Sequence, residues 1–367
     1  MKYVFLTYAY SPSFNSPQNW IERTVAYAGI LQCLSKRNTI INIKQIDYEG
    51  NYDHHGVQYH FVNFYKNKAY FTWRLNHYVK NLKPDVVVVQ GLHVPLQVIQ
   101  LRLALGKDVK IIVHHHAEQP FKGIKKYAQK LADVCIDAYL FASQAMGAGW
   151  VKKGNLSSLK KIHEVMEVSS VFTPMEKAAA VQKTGVTGDP VFLWVGRLNE
   201  NKAPLTVVKA FLQFAAVNPT VRLYMIYHTE EQLAQVQELI NGSSQKNTII
   251  LVGKVPHNEL QCWFNSADII ISGSYYEGSG TAVCEAMSCG CMPLVTDILS
   301  FRMITDNGRC GLLYEAGNEA ALLSALIQTQ QMDIAAKQKI ALAYFRSNLS
   351  FEAIARKMEE VAGSLFV

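Results

Sequence analysis

The chain has 367 residues, 49% hydrophobic and 18% charged, which is apolar material for two ordinary cores and sets two domains as the expectation. No run nears the roughly eighteen consecutive apolar residues that would span a membrane, and Met1–Ser13 has no signal-peptide pattern. The seven cysteines (33, 135, 262, 284, 289, 291 and 310) form no C-x-x-C pair, so a disulfide framework or zinc ribbon is excluded and reduced thiols in a cytoplasmic protein are expected. The formal charge of +7 is uneven: residues 1–170 carry 21 Lys and Arg against 11 Asp and Glu, the rest 15 against 18. A basic first half attracts an anionic surface or polymer, although ordinary solubility accounts for it equally well.

The pattern predicts a strand at Tyr3–Tyr8, a turn-rich loop over Ser11–Pro17 and a helix from Asn19 to Ser35. Strands at Thr39–Ile46, Gln58–Phe64 and Asp85–Val89 follow, with a helix from Ala69 to Lys80 before the last. Such alternation describes a doubly wound parallel sheet. Between 64 and 83, Lys66, Lys68, Arg74, Lys80 and Lys83 are interleaved with Phe64, Tyr65, Tyr70, Phe71, Trp73 and Tyr78. The mixture fits a membrane-facing or acceptor-facing surface, with a helix that buries its aromatics as the alternative. No RNA-binding signature accompanies it, and nucleic acid is not expected as a partner.

Lys110–Val113 is the next strand and runs into His114, His115, His116 and Glu118. A histidine at the C-terminal end of a parallel strand lies in the ligand crevice. Register selects His116 for that place, with His114 second and His115 turned toward packing. His114, His116 and Glu118 together have metal-ligand chemistry, but a break in the strand near Ala117 argues against convergence, and no metal is expected. Lys122, Lys125, Lys126 and Lys130 make the following helix strongly basic, and Lys152, Lys153, Lys160 and Lys161 add to it. They suit a phosphate-bearing acceptor or an acidic leaflet; a solvated helix face is the plain alternative. A linker is expected near 174–188.

The second half opens on Val191–Leu198, a buried strand ending at Gly196 and Arg197, with Lys202 five residues beyond. Two cations at a strand's C-terminal end suit a diphosphate, Arg as a fork and Lys as a point charge. Ile269–Ile271 predicts another buried strand. Gly278-Ser279-Gly280-Thr281 then forms a loop feeding a helix from Ala282 to Ser288, with Gly290 at its C-terminal cap. A glycine-containing loop at a helix N-terminus presents free N–H groups to an anion. Glu277 and Glu285 bracket it, and carboxylates accept well from paired sugar hydroxyls. Phosphate-binding backbone between hydroxyl-binding acids points to a nucleotide sugar, with a capped surface helix bearing two solvated glutamates as the equally weighted alternative.

Glu277 and Glu285 form an E-x7-E element, and EGSGTAVCEAMSCGCMPLVTD resembles the donor-binding segment of family 4 retaining glycosyltransferases. The resemblance implies the GT-B fold: two Rossmann-like domains (1–174 and 188–345) facing a central cleft, with the C-terminal helix (346–367) crossing back to the first. It implies that Glu277 faces the transferred sugar, Glu285 the ribose, Arg197 and Lys202 the diphosphate, and His116 the sugar hydroxyls. Gly253, Lys254 and Val255 match the turn whose backbone reads the base. The family's paired glycines near residues 11–17 are missing here, which leaves Asn15 and Ser16 to contact the donor phosphates or the loop to contribute little.

The activity so implied is retaining, metal-independent transfer of a hexosyl unit from a UDP- or GDP-sugar, with no cofactor. The expected acceptor is a glycan or lipid-linked molecule of cell-surface polysaccharide or lipopolysaccharide synthesis, reached from the inner membrane face. The alternatives are a nucleotide-sugar epimerase on the same scaffold and a non-catalytic GT-B subunit.

Overall fold

The computed structural model describes residues 1–64, 72–116 and 118–367, and the chain divides into two compact units. Met1–Ser169 and Phe351–Val367 make the first, Ser170–Ser350 the second. The division falls at Ser169 rather than 174 because the connecting segment packs on the second unit. There Ser288 Oγ donates to Ser170 Oγ at 2.8 Å, and Met175 N donates to Asn265 Oδ1 at 2.8 Å.

The first unit is built on β1 (Lys2–Ser11), β2 (Thr39–Ile46), β3 (Gly50–His54), β4 (Val57–Phe61), β5 (Val86–Gln90), β6 (Lys110–His114), β7 (Ala138–Phe141) and β8 (Ile162–Glu164). Their order is β3-β4-β2-β1-β5-β6-β7-β8, parallel except for the β3–β4 hairpin. Val86 to Val89 are fully buried, as a strand covered on both faces requires. The hairpin turns at His55 and Gly56, both at positive φ (48° and 79°), the geometry that two-residue hairpin turns favour. The sequence reading missed β3 because it is an edge strand whose side chains alternate between exposed and half-buried.

The single helix expected at Asn19–Ser35 is two, Pro17–Arg23 and Val25–Ser35. They break at Thr24, whose hydroxyl bonds back to Trp20 O at 2.9 Å. Of the helix expected at Ala69–Lys80, the described part is Trp73–Asn81; Tyr65, Lys66, Lys68, Tyr70, Phe71 and Ala117 lie outside the described residues. The C-terminal helix Phe351–Ser364 belongs to the first unit. A side chain at Gly29 would come within 2.6 Å of the Phe351 ring, so glycine there lets this helix approach. Arg37 and Asn38 then clamp Glu359.

The second unit holds β9 (Val191–Gly196), β10 (Arg222–Tyr227), β11 (Ile249–Gly253), β12 (Ile269–Ser272), β13 (Met292–Thr296) and β14 (Leu312–Tyr314). All are parallel, in the order β11-β10-β9-β12-β13-β14. Phe192, Phe211 and Phe214 pack edge to face under one side, and Phe172 and Phe264 lie under the other. Phe301–Ile304 lies in the helix Leu299–Ile304. Its buried residues Ser300, Phe301 and Ile304 follow helical spacing.

In each unit the strand order reverses once, between β1 and β5 and between β9 and β12. Side chains at the carboxyl ends of those strands line the crevice that such a reversal opens.

Candidate active site

In the second unit, the reversal point collects the segments after β9 and β12. Gly196 ends β9, exposed Arg197 follows, and a short 3₁₀ turn, Glu200–Lys202, is capped by Asn199. This turn is stitched to the loop after β12: Tyr275 N donates to Asn201 O at 2.9 Å, and Asn201 Nδ2 to Tyr276 O at 3.0 Å. A side chain at Gly273 would press within 3.1 Å of Lys202 O, so its absence lets the two segments meet. Lys202 and Glu277, far apart in sequence, then form an ion pair through Nζ and Oε1. Buried Ser274 donates to the same Glu277 oxygen at 2.6 Å. No described residue pairs with the Arg197 side chain.

Gly278, Ser279 and Gly280 lead into the helix Thr281–Ser288, whose first residue falls one position earlier than expected. Gly280 caps it at φ 56°, ψ 46°, in the left-handed region. A Cβ there would also lie 2.7 Å from the Phe301 ring and 2.9 Å from Ile304, so the helix Leu299–Ile304 is the floor of this turn. No side chain caps the helix. Val283 N and Cys284 N turn back to Gly280 O, and the N–H groups of Thr281 and Ala282 remain as outward donors at the positive end of the dipole. At the other end Gly290 adopts φ 93° and Cys291 N reaches Ala286 O at 2.9 Å, a Schellman closure.

Glu285 is 5% exposed and bonded by His257 Nε2 at 2.8 Å. The His257 ring leans on Phe172, their centroids 4.9 Å apart. Gly253 closes β11 at φ 82° with open space beside it; Lys254 is exposed and Val255 packs on the core. The structure therefore brings Lys202 to Glu277 and holds Glu285 against His257, a residue that spacing did not single out.

In the first unit β6 ends at His114, so His116 lies beyond the strand. Its Nδ1 meets the Glu167 carboxylate and its Nε2 meets Gln90 Oε1 at 2.6 Å. Glu167 carries no local signal of this contact, which spans 51 residues. His115 turns inward, stacked 4.6 Å from Phe141, as register predicts. His114 is fully buried, and burial with His116 and His115 beside it pushes its pKa well down, so it stays neutral. Glu118 does not join the two histidines: its carboxylate accepts from Leu92 N at 2.9 Å and His116 N at 2.6 Å. Among the described residues no metal-ligand cluster forms. Ser16 spends its hydroxyl capping the seven-residue helix Pro17–Arg23, accepting from Asn19 N at 3.2 Å, while Asn15 is exposed.

A doubly wound pair of parallel sheets, the second carrying a cation–carboxylate pair at a glycine-built helix start, is the framework of the GT-B glycosyltransferases. The solved structures agree on the fold. A glycosyltransferase from Rickettsia africae superposes with a TM-score of 0.74 at 18% identity, covering 100% of this chain and 99% of its own. The Anabaena protein HepE, in complex with UDP, gives 0.73 at 15% identity, covering 99% and 100%. Residues 176–341, which lie within the second unit, match the family described as "Glycosyl transferases group 1".

Among curated proteins, a D-inositol 3-phosphate glycosyltransferase from Arthrobacter is 29% identical over 164 residues, which is 43% of this chain and 39% of that protein. The chain spans about two fifths of the length of the curated relatives it matches.

Proposed function

We propose that the protein transfers a sugar from a nucleotide diphosphate sugar to a hydroxyl acceptor. The observation that carries this reading is the Lys202–Glu277 pair beside the Gly280 turn, with Arg197, which no described residue pairs, close by in sequence. A diphosphate on the N–H groups of Thr281 and Ala282 competes with Glu277 for the Lys202 ammonium. The displaced carboxylate, still held by Ser274, is then free to accept from sugar hydroxyls. Arg197, Lys202 and the helix start stabilise charge growing on the leaving diphosphate, each good donor being worth about 3 to 4 kcal/mol in such sites. Glu285 accepts the ribose hydroxyls in exchange for His257. The turn Gly253-Lys254-Val255 reads the base through its backbone. In the first unit His116, fixed at both ring nitrogens, is the sugar-hydroxyl contact. The UDP and UDP-glucose bound to HepE in its solved complexes support a uridine nucleotide as donor.

The reading continues to retention at the anomeric carbon, without a metal, since the diphosphate has cations and helix N–H groups to hold it. The acceptor is reached at an anionic membrane face. Ile124, Tyr127, Leu131 and Val134 make one stripe of the helix Ile124–Asp133 and its cap, 86%, 67%, 65% and 83% exposed. Exposed Lys122, Lys125 and Lys130 flank it. An apolar stripe with a lysine margin suits the headgroup region of an acidic leaflet. Among the described residues no helix is long and apolar enough to cross a membrane.

Calorimetry with UDP and uridine on the wild type and Lys202→Ala tests the donor site. Loss of at least tenfold for UDP with uridine unchanged is expected, and equal loss for both overturns the phosphate role. Proton NMR of the product in excess chelator reads the anomer and the metal requirement together. An inverted product, or activity that only a divalent ion restores, overturns that part.

A further inference from the structure

Near the carboxyl end of β2 the first unit buries a cation with no counter-charge. Lys44 is 6% exposed, and its ammonium lies 5.7 Å from the Trp20 ring centroid and 5.8 Å from that of Tyr27. The ammonium makes no hydrogen bond or ion pair with any described residue, and residues 65–71 contain no Asp or Glu. Burial lowers its pKa to about 8 with no carboxylate to raise it again.

The surroundings are polar and unsatisfied. Among the described residues Trp20 Nε1 is a buried donor without an acceptor, and the Tyr27 and Tyr59 hydroxyls, Gln90 Nε2 and Asn42 Oδ1 are buried with no hydrogen bond of good geometry, Tyr27 only leaning on Gln90 and Tyr59 on Asn42. These groups share one place. The Tyr27 hydroxyl lies beside Gln90 and Tyr59, and that of Tyr59 beside Asn42. Asn42 and Lys44 alternate along β2 and so face the same way. Gln90 ends β5, across the strand-order reversal, and its carbonyl holds His116. Cores satisfy nearly all their buried polar groups and pair nearly all their buried charges. Water can meet the open hydrogen bonds here, but it leaves the charge uncompensated.

We propose that this cluster is a subsite for an anionic group on a hydroxylated acceptor, adjoining His116. Lys44 supplies the counter-charge, Trp20, Tyr27 and Gln90 donate to the anion, and Asn42 with Tyr59 takes a neighbouring hydroxyl. The anion site stands on this geometry; calling its occupant the acceptor rests on the glycosyltransferase reading. The curated relatives named for an inositol phosphate point to the same chemistry.

The test is calorimetry on the full chain in saturating UDP, which occupies the donor-side cations, with glucose 6-phosphate, glucuronate and glucose as probes. Wild type binds one or both of the anionic probes, and not glucose. Lys44→Met weakens that binding at least tenfold and leaves UDP affinity unchanged, Lys44→Arg keeps part of it, and Tyr27→Phe lowers it severalfold. Equal binding by wild type and Lys44→Met, or no binding of either anion by wild type, overturns the subsite. Failure of wild type to bind UDP counts against the donor reading instead, and the anionic probes still decide the subsite.

Discussion

At the strand ends of the second unit Lys202 meets Glu277 and His257 meets Glu285, whereas at those of the first unit Lys44 has aromatic faces around it and no acid. The first arrangement is self-compensated. A ligand that brings its own negative charge takes Lys202 over from Glu277, and the unit is stable whether or not that happens. The second has no counter-charge among the described residues, so an anion bound there, as proposed above, would stabilise the unit. A paired charge adds little strain to a fold, whereas a lone buried charge destabilises the protein by itself unless a ligand compensates it.

The comparison breaks most directly at Gly280. Gly280→Ala demands positive φ of a residue with a Cβ and drives that atom into Phe301 and Ile304. We expect a loss of about 2 to 5 kcal/mol and no measurable UDP binding, read by thermal denaturation and calorimetry. A variant as stable as wild type that binds UDP normally shows that the turn relaxes, and the anion site with it.

The basic side of the first unit is tested at the exposed stripe. Replacing Ile124, Tyr127 and Leu131 together by Ser removes apolar surface that is mostly exposed. Stability should change by less than about 0.5 kcal/mol, while partition onto phosphatidylglycerol vesicles falls at least tenfold. Unchanged cosedimentation rejects the stripe as a membrane contact.

Lys44→Met sharpens the contrast between paired and unpaired charge. The folded pKa of Lys44 is lowered from 10.5 to about 8. The unfolded chain therefore binds the proton more tightly, and the wild type loses stability below pH 8. It recovers that stability as pH rises from 8 to 10.5. The variant should be more stable at pH 7 by on the order of 2 to 3 kcal/mol, and the gap should close across that pH window. A destabilised variant, or a gap independent of pH, means that Lys44 is a satisfied core residue.

The smallest effect separates the two glutamates. Glu285→Gln should weaken the free nucleotide about tenfold and leave turnover nearly unchanged, because a ribose contact is uniform binding. Glu277→Gln should do the reverse, cutting turnover with nucleotide affinity kept within a few fold, since Lys202 is freed for the diphosphate. Steady-state kinetics with nucleotide titration decides it, and matching profiles for the two variants reject the division of roles.

Much of the second unit's site was legible along the chain because its parts are local: Gly280 one residue before its helix, Glu277 and Glu285 on either side of one turn, Gly290 at the cap. The first unit was harder to read. Ser16 proved to be a helix cap, and β3 escaped notice because its exposed side chains give no burial signal. Glu118 reads as a ligand of the histidine cluster but is taken by backbone N–H groups.

Periodicity, turn residues and the glycines at special φ set the two parallel sheets and the Gly280 turn, because each depends on neighbours a few residues apart. The partners of the charged groups were decided only by the tertiary structure. Glu277 meets Lys202 across 75 residues, Glu285 meets His257 across 28 and His116 meets Glu167 across 51. Lys44 is left with none among the described residues. Burial and opposition of charge arise when separate strands end side by side, and no property of a single segment encodes which ends will meet.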